Sequence, residues 1–407
     1  MKISVMTSSF PRYRGDGTAP FVKSISESLQ KRGHHVEVVA PFDIDAVSDL
    51  ESKVAVHRFR YTFPARFHIM GHARSLNADV RLTPLTYLLL PFYIFAATMK
   101  LITVSKNMKA EIVHNHWVLP NGVPTAIACK ILKIPFVISL HGSDIFVANK
   151  NKFFKWVAKW VFSQASYVTA CSQELFDQAK IINPEINIQL LAWGADPEVF
   201  KPIKDREKIR KKYGWGMHEV IIISLGRFVY KKGFDRLISI VPELISENVN
   251  LRVVIGGSGP LEEDLLNLVR KLDIEKYVSF PGRIPWDEVP EFLAAADIFV
   301  LPSQRDSAGN LDGLPTVLLE AMACGLPCVA TEIGGVNLVI NHGNNGYLIS
   351  GGNNSSLLTH ISSLVLDDEL IKLFGQRSRL SIIQKNNWNN VAKYFEDLFE
   401  KSINRII

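Results

Sequence analysis

Short β-branched runs alternate along the chain with longer stretches whose apolar positions recur at helical spacing. KISVMTSS, HHVEVVAP, EIVHNHW, PFVISLHG, SYVTAC and INIQLLA read as strands of the first half, and after Pro202 the pattern restarts with VIIISLG, LRVVIGG, YVSFPG, DIFVLPS, PCVAT and GYLI. Strands that are apolar along nearly their whole length and separated by helices predict parallel sheets covered on both faces. Two such series predict an α/β protein of two doubly wound, Rossmann-like domains. The stretch WGADPEVFKPIKDREKIRKKYGWG between them, with prolines and dense charge, reads as an interdomain linker with a short solvated helix. That puts the domains at 1–200 and 201–385. In 386–407, Trp388, Val391, Phe395, Leu398 and Phe399 fall at helical spacing and predict a long closing helix.

A chain of 407 residues, 47% hydrophobic and 21% charged, is long enough for two cores and too apolar for disorder. Its four cysteines, Cys129, Cys171, Cys324 and Cys328, are too sparse for a disulfide framework and lack metal-site spacing. A reducing, cytoplasmic compartment is the expectation, and the first apolar run is too short for a signal peptide. The net charge of +6 is uneven: residues 1–200 carry 22 Lys and Arg against 15 Asp and Glu. A basic first half suits a phosphorylated substrate or an anionic lipid surface. Nucleic acid is the weakest partner, because no recognised binding motif accompanies the charge.

Open parallel sheets bind ligands beyond the carboxyl ends of their strands, so the loops there hold the candidate chemistry. SLGRFVYKKGFDRL sets Arg227 directly after a strand and Lys232 five residues on, a spacing that lets a guanidinium and an ammonium converge on one diphosphate. The alternative is that the lysines merely start a solvated helix. Gly256, Gly257 and Gly259 of VVIGGSGPLEEDL do not match the dinucleotide fingerprint and equally fit a tight turn before a helix, with Pro260 near its first turn. No Walker sequence is present, which leaves dehydrogenases and P-loop enzymes without support. Gly15 and Gly17 lie in a loop after the first strand where backbone amides can approach a phosphate, and His141 and Asp144 follow another strand in SLHGSD. In DGLPTVLLEAMACGLPCVAT, Pro315 is expected in the first turn of a helix, with Asp312 before it, the amides of Leu314 and Thr316 able to donate, and Glu320 inside. Carboxylates accept vicinal hydroxyls well, so the pair suits a hexose at Asp312 and a ribose at Glu320. The alternative, Asp312 as a cap and Glu320 on the surface, fits poorly with the apolar neighbours of Glu320.

These segments, taken in order, resemble the family 4 retaining glycosyltransferases of the GT-B type, in which two Rossmann-like domains close over a nucleotide-sugar. The likeness runs through the Gly15 and Gly17 loop, EIVHNHW, SLHGSD, GRFVYKKG, GGSGPLE, PGRIPWDEVPEFLAAADIFVLPS, EAMACGLPCVAT and the Trp388 helix. The resemblance implies a closing helix that returns to the first domain, Arg227 and Lys232 on the departing diphosphate, Glu320 on the ribose and Asp312 on the hexose. It also implies backbone at Arg283 and Ile284 around the base, and His141 beside the sugar. The first acid is Asp where Glu is usual, and Pro315 removes one amide that other members offer the sugar. The implied reaction is hexosyl transfer with retention, without metal or other cofactor, from a nucleotide-diphosphate sugar to a lipid-linked or glycan acceptor. A nucleotide-sugar epimerase or hydrolase, and a non-catalytic sugar-nucleotide-binding subunit, are the competing readings.

Two segments bear on location. In KNKFFKWVAKWVF, Phe153, Phe154, Trp156, Val157, Trp160 and Val161 gather on one side of a helix, with Lys152, Lys155 and Lys159 on the other. Such a helix either packs on its sheet or lies in a headgroup layer, and weak peripheral binding to the inner face of an anionic membrane is expected. PLTYLLLPFYIFAATM, interrupted by Pro91, reads as a buried helix rather than a span.

Overall fold

A computed structural model describes the chain except residues 48–51, 73–75, 78–80, 247–249, 307–308, 310 and 406–407. The strands are β1 (Lys2–Met6), β2 (His35–Pro41), β3 (Ala55–Phe59), β4 (Leu76–Asn77), β5 (Arg81–Leu82), β6 (Ile112–His116), β7 (Phe136–Leu140), β8 (Tyr167–Ala170) and β9 (Ile188–Leu190) in the first half. The second half holds β10 (Val220–Leu225), β11 (Leu251–Gly256), β12 (Val278–Ser279), β13 (Ile298–Leu301), β14 (Cys328–Thr331) and β15 (Gly346–Ile349). The chain divides into two compact units, residues 1–192 with 388–407, and residues 193–387.

Each unit is built on one parallel sheet, in the order β3-β2-β1-β6-β7-β8-β9 in the first and β12-β11-β10-β13-β14-β15 in the second. Both orders grow outward in two directions from the first strand, so each sheet has a switch point, between β1 and β6 and between β10 and β13. Crossover loops there leave on opposite faces and open a crevice at the strand ends. The central strands are apolar on both faces because helices cover both. Ile3 pairs with Val36 and Ile112, Ile222 pairs with Val253 and Ile298, and all six are fully or almost fully buried. The four cysteines are buried.

Three readings change. The strand β3 carries the polar His57 and Arg58 and lies at the sheet edge beside β2, which is why no apolar run announced it. The charged helix Arg206–Lys212 is docked rather than solvated: Arg210 Nη2 reaches Asp297 Oδ2 at 2.6 Å, its Nε donates to the Ala295 carbonyl at 3.0 Å, and Ile209 is buried. The 25-residue helix Pro84–Met108 is only half buried. Leu89, Tyr93, Ala97, Leu101, Val104 and Met108 form its inner stripe, while Leu88, Phe92 and Phe95 are exposed. Its sequence is apolar all round, so periodicity could not show which face packs.

The helix Trp388–Asn404 belongs to the first unit. It packs along the helix Pro20–Lys31, with Arg32 Nε on Glu396 Oε2 at 2.7 Å, and sets Phe395 against His114 with ring centroids 4.4 Å apart. The closing helix therefore returns to the first fold unit.

Candidate active site

In the second unit the loop after β10 is a 3-10 turn, Tyr230–Lys232, ended by Gly233 at φ 65°. A Cβ on Gly233 would stand 2.0 Å from the Pro302 carbonyl oxygen, so only glycine lets this loop lie on the one after β13. Gln304 N donates to the Lys231 carbonyl at 2.9 Å and Arg236 Nη1 to that of Pro302 at 3.2 Å, which pins both loops at the switch point. The tight turn sends Lys231 and Lys232 the same way. Their Nζ atoms meet Asp312 Oδ1 at 3.1 Å and Oδ2 at 2.6 Å. Burial alone would raise the Asp312 pKa, but Lys232 and Lys231 outweigh it and hold the carboxyl well below the usual carboxylate range. The lysines thus start neither a free surface nor a solvated helix.

Asp312 sits in the loop before the helix Thr316–Ala323. Pro315 is its extended N-cap residue, at φ −66° and ψ 122°, one position earlier than expected, and among the described residues no side chain caps the helix. Behind the loop, Gly335 N donates to the Gly313 carbonyl and a Cβ on Gly334 would lie 2.4 Å from the Asp312 carbonyl. Leu314 is buried. Glu320 lies one turn inside the helix, and burial pushes its carboxyl up to about 7 despite a hydrogen bond from Thr316. Arg227 is exposed after β10. Arg283 is exposed and Ile284 buried in the loop after β12, which is joined to the β11 loop by Gly257 N on the Gly282 carbonyl at 2.8 Å. Gly257 and Gly259 have their own reason: Cβ atoms there would meet the Gly226 oxygen at 1.8 Å and the Phe228 oxygen at 2.6 Å. These glycines pack backbone on backbone.

The first unit carries a second cluster at its own switch point. Gly15, at φ 80°, and Gly17 flank Asp16, which sequence reading passed over. Asp16 accepts from Arg12 Nε at 2.7 Å and from the Thr18 hydroxyl at 2.7 Å. Burial would raise this carboxyl, but those hydrogen bonds bring it down to about 2. His141 Nε2 lies 2.9 Å from Nδ1 of His116, whose side chain is fully buried. Both imidazoles are pushed well below their usual range by burial and stay neutral, so one ring donates and the other accepts. His114 packs its ring against that of His116, centroids 4.2 Å apart, and makes a separate hydrogen bond from Nε2 to Ser139 Oγ at 2.8 Å. Period-two alternation put His114 and His116 on one face of β6, the signal available in HNH. Asp144 is buried and accepts from Val118 N at 2.7 Å and Gly142 N at 3.3 Å, tying the β6 and β7 loops together. Among the described residues no group of three His, Cys, Asp or Glu is placed to hold a metal ion.

Two parallel sheets of this order, each with a polar cluster beyond its switch point and a terminal helix returned to the first, define the architecture of GT-B glycosyltransferases. Residues 15–198 match the model of Glycosyltransferase Family 4 and residues 205–381 that of Glycosyl transferases group 1, and the chain belongs to this glycosyltransferase family. It is 27% identical over 405 residues, 98% of this chain and 97% of the relative, to N-acetyl-alpha-D-glucosaminyl L-malate synthase of Bacillus anthracis. It is 32% identical over 212 residues, 52% of this chain and 55% of the relative, to a GDP-mannose-dependent alpha-(1-6)-phosphatidylinositol monomannoside mannosyltransferase of Mycolicibacterium smegmatis. Anabaena HepE, solved in complex with UDP, shares the fold at a TM-score of 0.74 and 19% identity over 98% of this chain and all of that one.

Proposed function

We propose that this glycosyltransferase moves a hexosyl group, with retention and without a metal, from a nucleotide-diphosphate sugar to a lipid-linked or glycan acceptor at the cytoplasmic face of a membrane. The observation that carries this reading is the Lys231, Lys232 and Asp312 cluster beside a helix N-terminus at the switch point. Two ammonium groups held in place before any ligand arrives are preorganised for a diphosphate. In the reaction the bond from the anomeric carbon to the phosphate oxygen breaks and its electron pair leaves with the diphosphate. Lys232, Arg227 and the helix N-terminus stabilise that charge. The acceptor oxygen bonds the same carbon from the leaving-group side, and its proton passes to the departing phosphate. Glu320 receives the ribose hydroxyls, backbone at Arg283 and Ile284 flanks the base, Asp312 with the amides of Leu314 and Thr316 meets the hexose, and neutral His141 offers a hydrogen bond to the sugar.

The names of the relatives favour a nucleotide-sugar donor, GDP-mannose for the mycobacterial one. Incubation with UDP- and GDP-hexoses and a polyprenyl-phosphosugar or glycolipid acceptor tests the proposal. The expected product keeps the donor's anomeric configuration by NMR and forms equally in EDTA. An inverted product, strict manganese dependence, or turnover to free sugar or an epimer alone would overturn it.

A further inference from the structure

The first unit contains a cavity of about 370 Å³, within the range of pockets that hold small organic ligands, about 300–1,000 Å³. One end touches Ser8, Ser9 and Asp144 at the carboxyl ends of the strands, beside Trp117, whose ring centroid lies 4.7 Å from that of His141. From there it runs outward between the helices Pro84–Met108 and Lys152–Gln164, walled by Leu90, Ile94, Val123, Phe154 and Val157. No Lys, Arg or His lines it among the described residues, so it offers nothing to a small polyanionic acceptor. At its mouth Tyr87 is stacked on Phe154 and is 53% exposed, and Phe153 is 62% exposed. Beyond the mouth the apolar surface continues from Phe153 to the exposed Trp156, ring centroids 6.3 Å apart, on a helix that also exposes Lys152 and Lys159.

Apolar cavities stay dry and take apolar guests, and an open one leading to an apolar surface on a helix that also exposes lysines has the form of an entry from a bilayer. We propose that this cavity holds the hydrocarbon chain of an amphiphilic acceptor, whose polar head then lies at Asp144 and Trp117, next to His141. The proposal rests on the transferase reading and names its acceptor class. It also explains why two helices of a folded unit leave large aromatic side chains in water: in use, a chain and a membrane cover them.

The probe is dibromododecyl maltoside below its micelle concentration, a sugar head on a chain whose bromines quench tryptophan at contact. Wild type is expected to show saturable quenching that disappears in Trp117→Phe. Filling the cavity from two different helices, by Val123→Phe or Val147→Phe, is expected to weaken the probe at least about tenfold. Folding of each variant is read from its thermal transition, and either one suffices. Quenching unchanged in a folded, filled variant, or reporting only surface adsorption that survives Trp117→Phe, would overturn the proposal. Donor-induced thermal stabilisation, measured alongside, reads the transferase assignment separately: its absence from wild type would count against that assignment and leave the quenching result to decide the cavity.

Discussion

Glu320→Gln removes one ionisable proton site and almost no volume, and its consequences follow from burial. The Glu320 carboxyl moves from an ordinary value of 4.5 to about 7 because burial disfavours its charged form. Between those values the unfolded chain has lost the proton and the folded chain keeps it. Stability therefore falls by about 1.4 kcal/mol per pH unit through this window and is level above it. The accumulated loss by pH 8 is on the order of 3 kcal/mol, an upper bound worth roughly 6–12 °C in the melting temperature of a unit this size. Gln carries no such penalty. The melting temperature of Glu320→Gln should match wild type near pH 4.5 and exceed it progressively up to pH 8. The same variant should bind donor less well above pH 7, where wild type presents a carboxylate to the ribose hydroxyls. Differential scanning fluorimetry from pH 4.5 to 8.5, with and without donor, checks both. A melting difference that does not change with pH would refute the reasoning, because it would mean that Glu320 titrates alike in the folded and unfolded chain.

Lys232→Ala, and more so with Lys231→Ala, should lower donor kcat/KM roughly 10- to 100-fold, the worth of charge-assisted contacts of about 1.5–3 kcal/mol, while the folded state persists by circular dichroism. Gly233→Ala should cost roughly 2 kcal/mol or more in urea unfolding, since it combines a left-handed backbone with a contact of 2.0 Å to the Pro302 oxygen. Wild type should float with anionic vesicles at low salt and less at high salt, and Lys155→Glu with Lys159→Glu should abolish this. Identical flotation of that variant would assign the helix to ordinary packing.

Much of the fold could be read from the chain because its physics is local. Apolar strands such as VIIISLG and LRVVIGG must be covered on both faces, and twelve such runs in two series leave few alternatives to paired doubly wound sheets. What escaped was set by tertiary context. The strand Ala55–Phe59 is half polar because an edge needs no second apolar cover. Arg210 reads as a solvated charge until Asp297 is brought to it from 87 positions away. At the candidate site the residue types and their strand-end positions were legible, but their pairing was not. Nothing in KKG tells that both lysines turn to one carboxylate, since that depends on Gly233 and on the seat offered by Pro302. His116 likewise stood in the sequence as one more polar residue of a buried strand, and only the neighbouring strand brought His141 against it.

Asp312 and Glu320 meet opposite fates. Two carboxylates eight positions apart are driven apart in acidity, one downward by two ammonium groups and the other up to about 7 by burial. Across the neutral range Asp312 is a fixed anion, so no change of pH there releases Lys231 and Lys232 from it. Only a competing anion can draw the lysines away, and a diphosphate carries more charge than one carboxylate and can take both together. Glu320 responds to pH instead. On this reading the pH dependence of donor binding belongs to the ribose end of the site and its salt dependence to the phosphate end. Glu320→Gln should flatten the first and leave the second, and removal of the lysines should do the reverse.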